Sequence, residues 1–404
     1  MTGHLDEAAM MTRPTAEIGR LGSRSMMLGG LGLVLTAVGF MMERDTFMQS
    51  YLIAFIFWMG ITMGSLAVLM VQYLSGGAWG LVARRIFEAA TRTLPLMALL
   101  FLPIVLQLPV LYPWAKPASE IADVVREAIE KKAAYLNPQA FELRAVLFFV
   151  VLGGLVFVLN RWSKEQDETA PLLPGPQDRR FRLLSGPGLV CYVLIVTFMS
   201  VDWIMSLDPT WYSAIFGILT LGGQGLATMA FTVLVLTKLM RFKPMSEVAT
   251  SENLHDLGKL MFAFTMLWAY FSISQLLIIW SANLPEEIPY YLKRFNGPWA
   301  PVSIAVLVGQ FVVPFLVLLS RSLKRNPAMV GRVAFFILVM RIVDIALTIG
   351  PMVRADAGLH WLDIAAVAGM GLLWLAFFWR NLASRALLPA RDPYFKEAFA
   401  HGGH

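Results

Sequence analysis

Apolar runs of roughly 20 residues recur along nearly the whole chain, and a helix of that length crosses a hydrocarbon core about 30 Å thick. Inside lipid no water satisfies a backbone N–H or C=O, so each run must close its own hydrogen bonds, most simply as an α-helix. Ten candidate spans follow, at about 26–42, 49–74, 93–112, 141–160, 187–207, 211–239, 258–281, 299–320, 329–350 and 359–379. The expected fold is an all-α polytopic membrane protein, with an N-terminal tail over 1–25, a membrane domain over 26–380 and a C-terminal tail over 381–404. Composition agrees: only 15% of residues are charged, against about a quarter in an average soluble protein. The first run begins near Met26 without a small-residue cleavage pattern behind it, and reads as a retained helix.

The positions of Lys and Arg set the expected orientation. Twenty-three of the 33 fall in the N-terminal tail, the even-to-odd connections and the C-terminal tail; nine fall in the opposite set, and Arg341 lies within a span. The positive-inside rule then places both termini in the cytoplasm. It also accounts for the net charge of +6 as basic loops rather than a nucleic-acid surface. One outer connection, about 119–135, carries Ile121, Val124, Val125 and Ala128 at helical spacing. It is an amphipathic helix that either rests on the bundle or serves as a platform for a partner.

Cysteine and histidine usage excludes several chemistries. Cys191 is the only cysteine, so the chain forms no internal disulfide, no Cys-x-x-Cys-His haem attachment and no cysteine-ligated iron–sulfur cluster. Of five histidines, His4, His401 and His404 are in the tails, while His255 and His360 are expected on opposite sides of the membrane. A bis-histidine haem in the bundle lacks ligands, and no metal or cofactor site is expected on this chain.

Ionisable groups in membrane spans are functional candidates by default. Arg341 and Asp344 share a helix face in the ninth span, and His360 and Asp363 repeat that spacing in the tenth. The four are expected to cluster near the outer side. At the cytoplasmic side, His255, Asp256 and Lys259 stand at the mouth of the seventh span, which continues with Tyr270 and Gln275. Glu88 and Arg92 form either a second mouth or an interfacial ion pair. The sixth span carries Thr220, Gln224, Thr228 and Thr232 at intervals of four, a stripe that glues helices together or carries protons. In "SVDWIMSLDPTWYS", Asp208-Pro209 is expected to start the sixth span as N-cap and first helical residue. Trp203, Trp211 and Tyr212 are read there as an interfacial aromatic belt. Asp202 is left without a cap or turn to serve, as a candidate for an outer proton route. "GITMGSLAVLM" in the second span resembles "GGQGLATMAFTVLVL" in the sixth, which points to repeated four-helix units over spans two to five and six to nine.

Three segments resemble a known family. "KKAAYLNPQAFELRAVLFF", "SVDWIMSLDPTWYSAIFG" and "LHDLGKLMFAFTMLWAYFSISQLLIIWSANLPEEIPYYLKR" are similar to parts of the NrfD-like membrane subunits of bacterial alternative complex III, most of all the shorter of its two such subunits. The similarity runs from about residue 25 to 385. It implies two four-helix bundles, of helices 2–5 and 6–9, flanked by helices 1 and 10. It further implies a complex of the bacterial inner membrane that oxidises menaquinol or another quinol. Iron–sulfur clusters and c-type haems would sit in partner subunits, beside a second, homologous NrfD-like membrane subunit. For this chain the resemblance implies proton conduction and scaffolding, and leaves open whether it binds a quinone. The corresponding proton path would use Glu88, His255, Asp256, Lys259, Tyr270 and Gln275 from one side, and Asp202, Arg341, Asp344, His360 and Asp363 from the other. A stand-alone secondary transporter and an inert structural subunit are the competing readings.

Overall fold

The computed structural model describes residues 16–77, 79–169, 179–392 and 395; the remaining parts of the two expected tails, with His4, His401 and His404, lie outside the described residues. The described residues are mostly helical and include no strand. Among them ten helices are long and apolar enough to cross a membrane. In chain order the spans are α1 (Ala16–Met42), α2 (Arg44–Ser75) and α3 (Arg84–Leu106). A short helix α4 (Asp123–Lys131) precedes α5 (Pro138–Thr169), α6 (Arg179–Trp203), α7 (Phe216–Leu239) and α8 (Ser251–Ala282). A second short helix, α9 (Pro289–Phe295), leads into α10 (Gly297–Leu319), α11 (Pro327–Val353) and α12 (Trp361–Ala383).

Local chemistry sets several helix starts. Thr250 and Asn253 form a reciprocal capping box at α8. Asn326 accepts from the Ala328 and Met329 N–H groups at α11, with Pro327 as first helical residue. His360 and Asp363 make the same kind of box at α12. Asn137 Oδ1 accepts from the Ala140 N–H, so Asn137-Pro138 opens α5 as well as ending the segment before it.

The second and seventh helices form the centre of the packing. Gly60 and Gly64 of α2 face Gln224 and Thr228 of α7; a Cβ on Gly64 would lie 2.2 Å from Thr228 Oγ1 and 2.7 Å from the Gln224 carbonyl oxygen. Only a bare backbone permits that crossing. Around this pair, α2 packs on α6, α11 and α12, and α7 packs on α6, α8 and α11. The first helix lies along α12, where a Cβ on Gly32 would come within 2.6 Å of the Gly369 carbonyl. The threonine stripe of α7 belongs to this packing. Gln224 accepts from the Tyr192 hydroxyl at 2.7 Å, Thr228 reaches the Ile61 carbonyl at 3.4 Å, and Thr220 bonds back to Phe216.

The structure corrects four expectations. The third span starts at Arg84 rather than near 93, because Arg84, Arg85 and Glu88 are buried against neighbouring helices instead of lying in a loop. Asp208 does not cap the sixth span, which begins eight residues later at Phe216. Instead Asp208 closes a local turn, accepting from the Thr210 N–H at 3.2 Å and the Thr210 hydroxyl at 2.5 Å, and pairs with Lys293 at 2.9 Å. Trp203 and Trp211 are buried, so only Tyr212 keeps the exposure of a belt residue. The outer amphipathic helix is shorter than expected and buries none of its residues. In α10, residues Leu307–Val312 widen into a π-helical turn that periodicity alone could not reveal.

Candidate functional site

A cavity of about 490 Å³ lies between α2, α7, α8, α9, α10 and α11. Its polar wall comes from α11. Arg341 and Asp344, one turn apart, form an ion pair, with Arg341 Nη1 donating to Asp344 Oδ2. Trp268 Nε1 of α8 donates to the same oxygen at 3.2 Å, and Gln310 Nε2, from the π-turn, approaches it at 3.5 Å. The glycines of "GGQG" make room for this pair: a Cβ on Gly223 would lie 2.4 Å from Arg341 Nη2. Arg341 Nε and Gln310 Oε1 are buried without a partner.

At one end the cavity is roofed by α9. Arg294 is buried there with its guanidinium 3.3 Å from the Tyr290 ring centroid. It donates to the Tyr290 and Thr348 carbonyls, each at 2.6 Å. Among the described residues no carboxylate lies within ion-pair distance of it. Tyr290 in turn stacks on Trp211, centroids 4.0 Å apart. Gln275 also lines this end, its amide nitrogen and oxygen buried without a hydrogen-bond partner among the described residues. Arg341 and Asp344 neutralise each other, so the cavity carries one net positive charge, on Arg294.

The expected outer cluster of Arg341, Asp344, His360 and Asp363 divides in two. Asp363 is taken up at the end of the bundle, accepting from Arg354 at 2.7 and 2.5 Å, from Ser50 at 2.6 Å and from the His360 N–H at 2.9 Å. Its partner is an arginine from the connection between α11 and α12, ten residues along the chain from Asp344. His360 acts as a helix cap. Asp202 likewise has a partner that its local sequence does not show: Arg144 of α5 grips it with two bonds of 2.8 and 3.0 Å. The Asp202 side chain is 1% exposed and is held in this ion pair.

The residues expected at the other end also separate. Asp256 and Lys259 form an exposed pair at 3.0 Å in the first turns of α8, beside a buried His255. Tyr270 is 66% exposed on the outer face of the bundle, away from the cavity. Glu88 is fully buried and pairs with Arg85 at 2.7 Å and Arg385 at 3.4 Å, with the Ser163 hydroxyl donating at 2.7 Å. Arg92 bonds to the Glu88 backbone, not to its carboxylate. Around Glu88 sits a buried charge network built from residues that look like loop residues in the sequence. Arg85 also meets Asp167 at 2.5 Å, and Arg84 meets Asp392 at 2.5 Å, as the segment after α12 folds back over α3. No signal short of contact information ties Asp392 to Arg84.

The fold and these sites define a multi-pass α-helical membrane protein. Neither the family models nor the curated proteins include a match to the chain.

Proposed function

We propose that the chain is a metal-free membrane subunit of a quinol-oxidising complex of the alternative complex III kind, in a bacterial inner membrane with both termini cytoplasmic. One observation carries the reading: the three segments that bear the resemblance, far apart in sequence, meet at one end of the helix bundle. Lys132 donates to the Pro209 carbonyl at 2.7 Å and Arg144 grips Asp202, joining the first segment to the second. Lys293 pairs with Asp208 and Tyr290 stacks on Trp211, joining the second to the third. On this reading that end is the docking side for iron–sulfur and haem subunits. On this reading spans two to five and six to nine form two four-helix bundles that meet at the α2–α7 crossing, flanked by spans one and ten.

Asp202 and Asp363 pair with arginines away from the cavity, whereas Asp344, although it too pairs with an arginine, lines the cavity wall; on this reading Asp344 is the carboxylate that exchanges a proton. Purification of the tagged chain from its native membrane tests the assignment. Haem and iron–sulfur absorbance should accompany it; a chain that emerges alone and colourless refutes the complex. Within the complex, Asp344→Asn should reduce proton release per electron, whereas Asp363→Asn should change assembly and not proton release. Unchanged release in a complex carrying both substitutions removes the route.

A further inference from the structure

The cavity opens sideways. Ile273 of α8 and Ile304 and Leu307 of α10 are exposed at its mouth, and all three lie within membrane spans. Its walls are largely apolar. Its roof, α9, belongs to the connection between the end of α8 at Ala282 and the start of α10 at Gly297, beyond the ends of both spans. The roof presents Arg294, a buried cation that uses two of its five N–H donors on backbone carbonyls and has no carboxylate partner among the described residues. Burying a cation on a ring and two carbonyls without a carboxylate in contact is costly, and a bound anion offsets that cost. An oily slot ending in an unpaired guanidinium has the form of one amphiphile: chain below, anionic head above.

We propose that this cavity binds one anionic phospholipid, its phosphate on Arg294 and an acyl chain passing Ile273, Ile304 and Leu307 into the interior. Arg is suited to that contact because its planar fork pairs with two phosphate oxygens at once. The lipid would close the gap between α8 and α10 and fix α9 in place. The inference does not depend on the electron-transfer reading and can fail or hold separately from it.

The test uses the full chain in detergent, stripped of lipid and titrated in native mass spectrometry with dioleoylphosphatidylglycerol, dioleoylphosphatidylcholine or inorganic phosphate. The expected result is a single bound phosphatidylglycerol, held about tenfold more tightly than phosphatidylcholine, as one charge-assisted contact provides. Arg294→Gln should abolish the preference and Arg294→Lys should restore part of it. Ile273→Trp should weaken both lipids while leaving Arg294 untouched. Thermal unfolding of each variant identifies those that do not fold, and the lysine and tryptophan variants keep the test decisive if the glutamine variant is lost. Equal binding of the two phospholipids overturns the proposal, as does a preference that survives Arg294→Gln. Competition by inorganic phosphate at the lipid's own concentration would mean a free-anion site. Displacement by a neutral isoprenoid quinone, unaffected by Arg294→Gln, would mean a neutral-ring site. Either overturns the lipid assignment.

Discussion

Replacing Arg144 with methionine isolates what the Asp202 ion pair contributes. The substitution keeps most of the side-chain volume and leaves a carboxylate that is 1% exposed without the two bonds of 2.8 and 3.0 Å that neutralise it. Breaking a buried pair from one side costs about 3–5 kcal/mol. Arg144 itself is partly exposed, which lets water reach the site and brings the expectation to about 3 kcal/mol. Asp202→Asn removes the charge but keeps an acceptor, and should cost about 1.5–3 kcal/mol. The double variant leaves no buried charge and should cost about 2 kcal/mol, well short of the sum. Reversible unfolding of the full chain in mixed micelles measures all four corners of the cycle. If the single costs add within about 0.5 kcal/mol, the two residues are not coupled and the reasoning is wrong. An Asp202→Asn complex of unaltered stability that no longer releases protons would also refute it, because Asp202 would then be a carrier.

Gly64→Ala should destabilise the fold by about 1–3 kcal/mol, since its Cβ meets Thr228 Oγ1 and a Gln224 backbone oxygen that cannot move aside; Gly153→Ala, with open space around it, is the control, and thermal unfolding compares them. The Asp208 carboxyl is pushed up by burial but pulled further down by its bonds from Thr210 and Lys293, so its folded value lies below the usual carboxylate range. A depressed folded value contributes stability that is fully present above about pH 3.9, the ordinary value, and is lost as pH falls through the folded one. Acid unfolding of Asp208→Asn should therefore lack part of the wild-type pH dependence below pH ~4; superimposable profiles would contradict the pairing.

The helices are legible because each apolar run answers to one solvent, and all ten starts fall within about three turns of the expected position. The third begins early, since Arg84, Arg85 and Glu88 look like loop residues until their partners are known. That is the general pattern of what stays hidden. Sequence indicates the side of a helix a charge occupies, but helix rotation and neighbour choice decide what it meets. Asp202 finds Arg144 58 residues upstream, and Asp363, paired with Arg354, also accepts from Ser50 across the bundle. Arg341 and Asp344 are readable as a pair because three residues on one helix fix their neighbourhood without tertiary information. Arg294, the most consequential group of the cavity, reads only as a loop charge, since nothing in "YYLKRF" says that its helix folds inward as a roof.

The burial of Arg84 against Asp392 also sets a timetable. The two are 308 residues apart, and at about 5–20 residues per second a ribosome needs about 15–60 s to deliver the second after the first. Ser50 waits as long for Asp363, and Thr62 for Trp374, across intervals of 313 and 312 residues. Throughout that time the second and third spans have the partners they supply each other, such as Thr93 for Thr62 and Gln72 for Arg84, and lack the late ones. The early half of the protein therefore has to be held, by water at the membrane surface or by the insertion machinery, until the helix that completes it arrives.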